Sequence, residues 1–323
     1  MNNGAFVMTA KQSIRGAFAE ASSFLTQCGV MEPQRNAQLL LEHVLGLSST
    51  AYYMALPELF PEEFITAWED AVTRKAAGEP AQYIIGEQEF YGLLFTVTPS
   101  VLIPRPETEL LVEAILQQAE RLWPGRTVAS ANRDVATAAG TNELAPLVAS
   151  EPLVVADIGT GSGAIAVTLA SQASGLRVYA SDISPEALRV AERNAARHGA
   201  AVAFREGNLL APFAGMALDI LVSNPPYIPA DTIAGLQREV RDFEPRLALD
   251  GGEDGLWPYR IMIEQIDLLE APPRIIGFEL GMGQAMDVAD MLRQAGHWSE
   301  IIIVPDLAGI DRHVIGVDSL FEL

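Results

Sequence analysis

The chain has 323 residues and a mass of 34.8 kDa, long for one ordinary domain and sufficient for two, since domains average roughly 150 residues. With 49% hydrophobic and 20% charged residues it is globular in composition, which excludes the disordered, collagen-like and fibrous classes. Forty-two acidic against twenty-one basic residues leave a formal charge of -21, a balance that repels a phosphate backbone and disfavours general nucleic-acid binding.

Lysine is confined to Lys11 and Lys75, so any local basic patch has to be built from scattered arginines. A single cysteine, Cys28, excludes an intramolecular disulfide and a Cys-rich metal knuckle. No basic segment followed by a continuous apolar stretch opens the chain, and no run reaches the roughly 18 apolar residues of a membrane span. The cytoplasm is therefore the expected compartment, with no membrane partner.

In chain order, Ile14, Phe18, Ala21 and Leu25 repeat at helical spacing between Thr9 and Gly29, which predicts a helix stopped by glycine. Pro33 suits a first helical position, and Ala37, Leu40, Leu41, Val44 and Leu45 continue that pattern to Gly46. A third helix is expected from Pro61 to Ala77, with Phe64, Ile65, Trp68 and Val72 inward. Residues 1–78 thus read as a small helical bundle.

The texture changes at Gly78-Glu79-Pro80. Within residues 79–103 the string EFYGLLFTVTPSVLI is rich in aromatic and β-branched residues, which predicts a linker carrying a β-hairpin. Pro104-Arg105-Pro106 punctuates, and Glu107 to Arg121 reads as a helix. Residues 124–152, rich in Ala, Thr, Ser and Asn, read as a flexible surface insertion.

From Leu153 onward, short apolar runs alternate with helical segments, at Leu153–Ile158, Arg177–Asp182, Ala201–Glu206, Leu218–Ser223 and Arg274–Leu280. That alternation specifies an α/β fold with a mostly parallel sheet. Glu300–Val304 and Arg312–Val317 are joined by too few residues for a crossover helix, so they are expected to pair antiparallel and close one edge.

Three strand ends carry chemistry. Asp157-Ile158-Gly159-Thr160-Gly161-Ser162-Gly163 follows the first of these strands and opens a helix, a turn that lets a ligand approach backbone and helix N–H groups. A carboxylate at its head, Asp157, suits a cation such as a sulfonium amino acid better than a pyrophosphate. Asp182 ends the next strand about 20 residues beyond the turn, where a carboxylate can accept both ribose hydroxyls. NAD and S-adenosylmethionine both have such a ribose.

After the fourth strand comes Asn224-Pro225-Pro226-Tyr227. Two prolines remove two N–H donors and stiffen the backbone at the end of the sheet where ligands bind. Asn224 offers an amide oxygen, Pro225 a carbonyl and Tyr227 a flat ring, a corner suited to a planar NH₂ group. The four histidines, His43, His198, His297 and His313, sit in no such constellation.

The strings GEPAQYIIG, VLIPRPETE, DIGTGSGAIA, SDISPEAL, SNPPYIP, EPRLALDGGEDGL and PDLAGIDRHVIG together closely resemble the bacterial release-factor glutamine methyltransferases, over nearly the whole chain. What the resemblance implies is a class I, Rossmann-like methyltransferase domain over residues 104–323. It would move a methyl group from S-adenosylmethionine to the side-chain amide of the glutamine in the Gly-Gly-Gln motif of a peptide chain release factor. Residues 1–78 would be its substrate-docking bundle, and a monomer the working unit.

By the match, Asp157, Gly159, Thr160 and Gly161 line the methionine end of the cofactor and Asp182 its ribose. Asn208, where the family usually carries Asp, lies near the adenine. Asn224 faces the cofactor and, with Pro225, Pro226 and Tyr227, the target amide. Adenine amino-group methylation of DNA or RNA shares the Asn-Pro-Pro-Tyr string but needs a positive track that a net charge of -21 does not supply. A cofactor-binding scaffold without catalysis is the other alternative, and the intact acceptor corner argues against it.

Overall fold

The computed structural model describes residues 4–127 and 151–320. Contacts divide the chain into two compact units, Met1–Glu87 with Leu236–Phe243, and Gln88–Gly235 with Glu244–Leu323.

The first unit is helical: α1 (Ile14–Gln27), α2 (Pro33–Leu45), α3 (Ser49–Ala55), α4 (Ile65–Ala76) and α5 (Ala81–Ile85). Ser13 and Ser48 cap α1 and α3 by accepting the N–H of Gly16 and Ala51, and Gly46 ends α2 in the left-handed conformation. Trp68, Leu25, Leu40 and Leu41 are fully buried at its centre.

The bundle does not stop at residue 78. The short helix α5 buries Ala81 in the same cluster as Trp68, and the return segment with helix Arg238–Phe243 belongs to this unit as well. Its Glu239 meets the fully buried Lys75 at 2.5 Å.

The second unit begins with a hairpin, β1 (Glu87–Phe90) and β2 (Leu93–Thr96), as the sequence predicts. Tyr91 and Gly92 turn it with φ of 52° and 72°, the paired positive angles that match strand twist. Helix α6 (Pro106–Leu122) follows, with proline at its first position.

Among the described residues the main sheet has seven strands in the order β5-β4-β3-β6-β7-β9-β8. These are β3 (Leu153–Ile158), β4 (Leu176–Asp182), β5 (Val202–Glu206), β6 (Ile220–Ser223), β7 (Ile275–Glu279), β8 (Glu300–Pro305) and β9 (Asp311–Val317). The first five of these run parallel. The antiparallel member, β9, lies one place in from the edge between β7 and β8.

Helices α7 (Ala164–Gln172) and α8 (Pro185–His198) are the crossovers that parallel neighbours require. Helices Trp257–Glu264 and Ala285–Ala295 carry the chain around β7. One core cluster joins α6 and α7 to the sheet through Leu111, Ile115 and Val167. A second joins the later helices through Tyr259, Met262 and Leu292.

Strand order reverses between β3 and β6, the switch point at which open α/β sheets bind ligands beyond the carboxyl ends of their strands. Most of the predicted insertion at 124–152 lies outside the described residues. Among the described residues no helix is long and apolar enough to cross a membrane.

Candidate active site

A cavity of about 300 Å³ opens at that switch point. Its walls bring together Gly159, Thr160, Gly161, Asp182, Asn208, Asn224 and Pro226, all residues singled out in the sequence.

The glycine turn forms one wall. Gly161 has φ of 57°, a conformation that a side chain disfavours, and its N–H donates to Asp182 Oδ2 at 2.9 Å. Asp182 Oδ1 accepts the Ser184 N–H at 2.9 Å. Burial raises the Asp182 carboxyl above its ordinary range, while the N–H groups of Ser184 and Gly161 pull the other way. The chain returns beside it, with the Gly207 N–H donating to the Asp182 carbonyl at 3.0 Å, which sets Asn208 on the wall.

Asp157 lies beneath the turn and is fully buried. Its Oδ2 accepts from the Thr160 hydroxyl at 2.6 Å and the Ala166 N–H at 3.2 Å. Its Oδ1 has no hydrogen-bond partner among the described residues. Burial pushes this carboxyl up to about 7.

The opposite wall is built by the loop after β6. Asn224 lines the cavity and donates its Nδ2–H to the Thr108 hydroxyl at 3.2 Å, so its amide nitrogen is engaged within the wall. Pro226 lines the cavity, whereas Pro225 is buried and Tyr227 is half-buried against the second core cluster. The Tyr227 carbonyl accepts from Gln284 Nε2 at 3.0 Å, which fixes the loop beyond Pro226. Burial, with Glu279 nearby, pushes the Tyr227 hydroxyl up to about 12.

Several residues here stand out only once the chain is folded. Arg105 pairs with the buried Glu244 at 2.5 Å, joining the PRPETE and EPRLALDGG strings at the cavity. Thr108 lines the cavity beside Asn224, Glu279 is buried outside that lining, and His313 approaches Glu279 to 4.0 Å. The strings themselves were the signal; the pairings across them carry none. Of the other histidines, His198 Nε2 is 2.9 Å from the Leu94 carbonyl.

Residues 16–86 match the PrmC N-terminal domain and residues 131–239 the Methyltransferase small domain. The chain is 42% identical over 303 residues to the release factor glutamine methyltransferase of Moorella thermoacetica, covering 93% of this chain and 96% of that one. It is 40% identical over 296 residues to that of Bacillus anthracis, covering 91% and 95%. In fold it is similar to the hMettl16 catalytic domain in complex with the MAT2A 3'UTR hairpin 6, with a TM-score of 0.50 at 15% identity over 79% of this chain and 84% of that one. The two matching domain families and likeness to these relatives over nearly its whole length converge on one conclusion: the chain belongs to the release factor glutamine methyltransferase family.

Proposed function

We propose that this protein transfers a methyl group from S-adenosylmethionine to the side-chain amide nitrogen of the glutamine in the Gly-Gly-Gln motif of peptide chain release factors. The observation that carries this reading is the orientation of Asn224, whose Nδ2 is engaged by Thr108 so that its oxygen is left for a substrate N–H.

The residues present fit the cofactor. Asp182 offers a buried carboxylate for the ribose, Asn208 an amide for the adenine, and the glycine turn admits a ligand against the backbone. Asp157 supplies a buried carboxyl with a spare oxygen beneath Thr160. When bound, S-adenosylmethionine supplies a methyl group on a positive sulfur, and transfer forms the nitrogen–carbon bond as the carbon–sulfur bond breaks, releasing S-adenosylhomocysteine and one amide proton.

An amide nitrogen is a poor nucleophile because its lone pair is delocalised into the carbonyl, and no side chain is basic enough to deprotonate it beforehand. The chain's contribution is positioning. The Asn224 oxygen and the Pro225 carbonyl hold the two N–H bonds, and fixed orientation can remove roughly 7–11 kcal/mol from a bimolecular barrier. Those oxygens also meet the positive charge that develops on nitrogen. The helical unit, with Tyr53, Met54 and Leu59 exposed, is assigned to docking the release factor, and a monomer in the cytoplasm is the working form.

Incubation with labelled S-adenosylmethionine and either a release factor or duplex DNA tests this reading. Label is expected in the release factor and lost when its Gly-Gly-Gln glutamine is replaced; label in the DNA, or in neither, overturns it.

A further inference from the structure

We infer that Thr108 and Glu279 are positioning residues that fix which way round the Asn224 amide sits; this rests on the glutamine-methylating reading above. Ser223 and Phe278 are register partners in the parallel pair β6–β7, so Asn224 and Glu279 follow them side by side at the strand ends. Thr108, in the first turn of α6, bridges the two, donating its hydroxyl proton to Glu279 Oε2 at 2.5 Å and accepting from Asn224 Nδ2 at 3.2 Å, and the Asn224 amide also donates directly to the Glu279 carboxylate. Glu279 is 3% exposed and lies outside the cavity lining, so bulk water does not replace its partner, while Thr108, 4% exposed, forms the cavity wall beside Asn224.

A hydroxyl has one proton to give, and an ionised carboxylate can only accept. While Glu279 is ionised, the Thr108 proton points at it and the Thr108 lone pairs face Asn224. The amide then has to present its NH₂ inward, and its oxygen is turned to the substrate. A protonated Glu279 reverses the polarity: it can donate to Thr108, which can then donate to Asn224. The amide is free to flip, and an NH₂ group then confronts the substrate NH₂.

Glu279 is faced by Glu107 from α6, Tyr227 from the loop after β6, Tyr259 from the helix Trp257–Glu264, and Arg312 and His313 from β9. Burial is the largest influence and Glu107 adds to it, while Thr108, Arg312 and Asn224 oppose it; the carboxyl is pushed up to about 7. His313 is held neutral by burial, pushed down to about 4, and adds no compensating charge near pH 7. Protonation of Glu279 thus couples the relay to pH.

The test is single-turnover methylation of a release factor across pH 6 to 9 by wild type, Thr108→Val, Thr108→Ser and Glu279→Gln, with cofactor Kd and Tm measured in parallel. Thr108→Val keeps the side-chain shape and removes the hydroxyl; the rate should fall roughly ten- to hundredfold, the scale of a misplaced reacting group, with cofactor Kd within about threefold. Thr108→Ser should recover most of that rate. Wild type should lose rate below about pH 7, and this acid limb should vanish in Glu279→Gln. Asp157 titrates in the same range, so loss of the limb in Glu279→Gln is what separates the two carboxyls.

A Thr108→Val variant at the wild-type rate, a serine variant no better than valine, or an acid limb as deep in Glu279→Gln as in wild type overturns the relay alone. Losses that follow Tm or cofactor Kd overturn it too, because they mark a structural role. A wild type that leaves the release factor unlabelled removes the activity itself, and the relay with it.

Discussion

Asp182 Oδ2 accepts the Gly161 N–H at 2.9 Å, so the carboxylate at the end of β4 holds the glycine turn at the end of β3. The same side chain lines the cavity and is thus both part of the wall and its brace. Asp182→Ala should weaken S-adenosylmethionine and S-adenosylhomocysteine alike, by about 1.5–3 kcal/mol for a charged hydrogen bond. Asp182→Asn should lose less, since one oxygen remains, but it cannot accept from both Gly161 and Ser184. Calorimetric Kd values for the two ligands check this, and an unchanged Kd in the alanine variant would remove Asp182 from the site.

In the helical unit, Lys75 is completely buried, with Nζ 2.5 Å from Glu239 and 3.3 Å from the Glu79 carbonyl. Burial lowers its pKa against the pull of Glu239. Removing one partner of such a pair strands a charge, whereas replacing the buried member by an apolar residue of similar shape is often neutral. Glu239→Ala should therefore destabilise the unit toward the lower end of the ~3–5 kcal/mol range for broken buried pairs, because the Glu239 side chain is 32% exposed. Lys75→Met should change it little. Hydrogen exchange in α4 reads both, and equal losses would show that the ion pair itself, not the stranded lysine, carries the stability.

The parallel strands were legible because buried strands are continuous apolar runs cut by Gly, Pro and Asp. Leu153–Ile158 has the same bounds in the sequence reading and in the fold. Helices α3 and α5 leave no signal in the sequence, since seven and five residues are too few to display a 3.6-residue period. Nor does anything local announce that Leu236–Phe243 returns to the helical unit. Within the site, backbone turns are local and readable, but Thr108 meets Glu279 across 171 positions and Arg105 meets Glu244 across 139. Such pairs exist only once the strand order is known. His313 is the same case: its environment is set by register with β7, where it lies opposite Glu279.

Asp157 makes the stability pH-dependent. The folded chain keeps this carboxyl protonated up to about pH 7, against an ordinary value of 3.8. Between those values the native state binds more protons than the unfolded one, so stability falls as pH rises and levels off above about 7. Asp157→Asn cannot ionise, yet its oxygen can still accept from Thr160 and Ala166. The stability of the variant relative to wild type should therefore grow from pH 4 to 7, by up to about 4 kcal/mol, and then stay constant. Glu279 titrates in both proteins and cancels in the difference. A difference independent of pH would mean that Asp157 ionises in the fold without cost.

Gly255 explains why the DGGEDGL string accompanies the Asn-Pro-Pro-Tyr corner. A Cβ at Gly255 would fall inside contact distance of the Tyr227 carbonyl oxygen and 2.6 Å from Gln284 Nε2, and one at Gly251 would lie 2.8 Å from the Pro226 carbonyl oxygen. The two loops thus pack backbone to backbone, tied by the Gln284 amide, which donates to Tyr227 at 3.0 Å and to Gly255 at 3.4 Å. Gly255→Ala brings two penalties: a left-handed residue at φ of 76°, worth about 1–2 kcal/mol, and a push on the loop that carries Asn224. Gly283→Ala isolates the first, because Gly283 has φ of 87° but no atom within 4 Å of its Cβ position. Both variants should lose similar backbone stability, while only Gly255→Ala should lose roughly tenfold or more in single-turnover methylation. Cofactor Kd should stay within about threefold in either, since the wall around Asp182 is untouched. If Gly283→Ala loses activity as deeply as Gly255→Ala, backbone strain alone accounts for the effect, and the packing of this loop does not set the position of the acceptor corner.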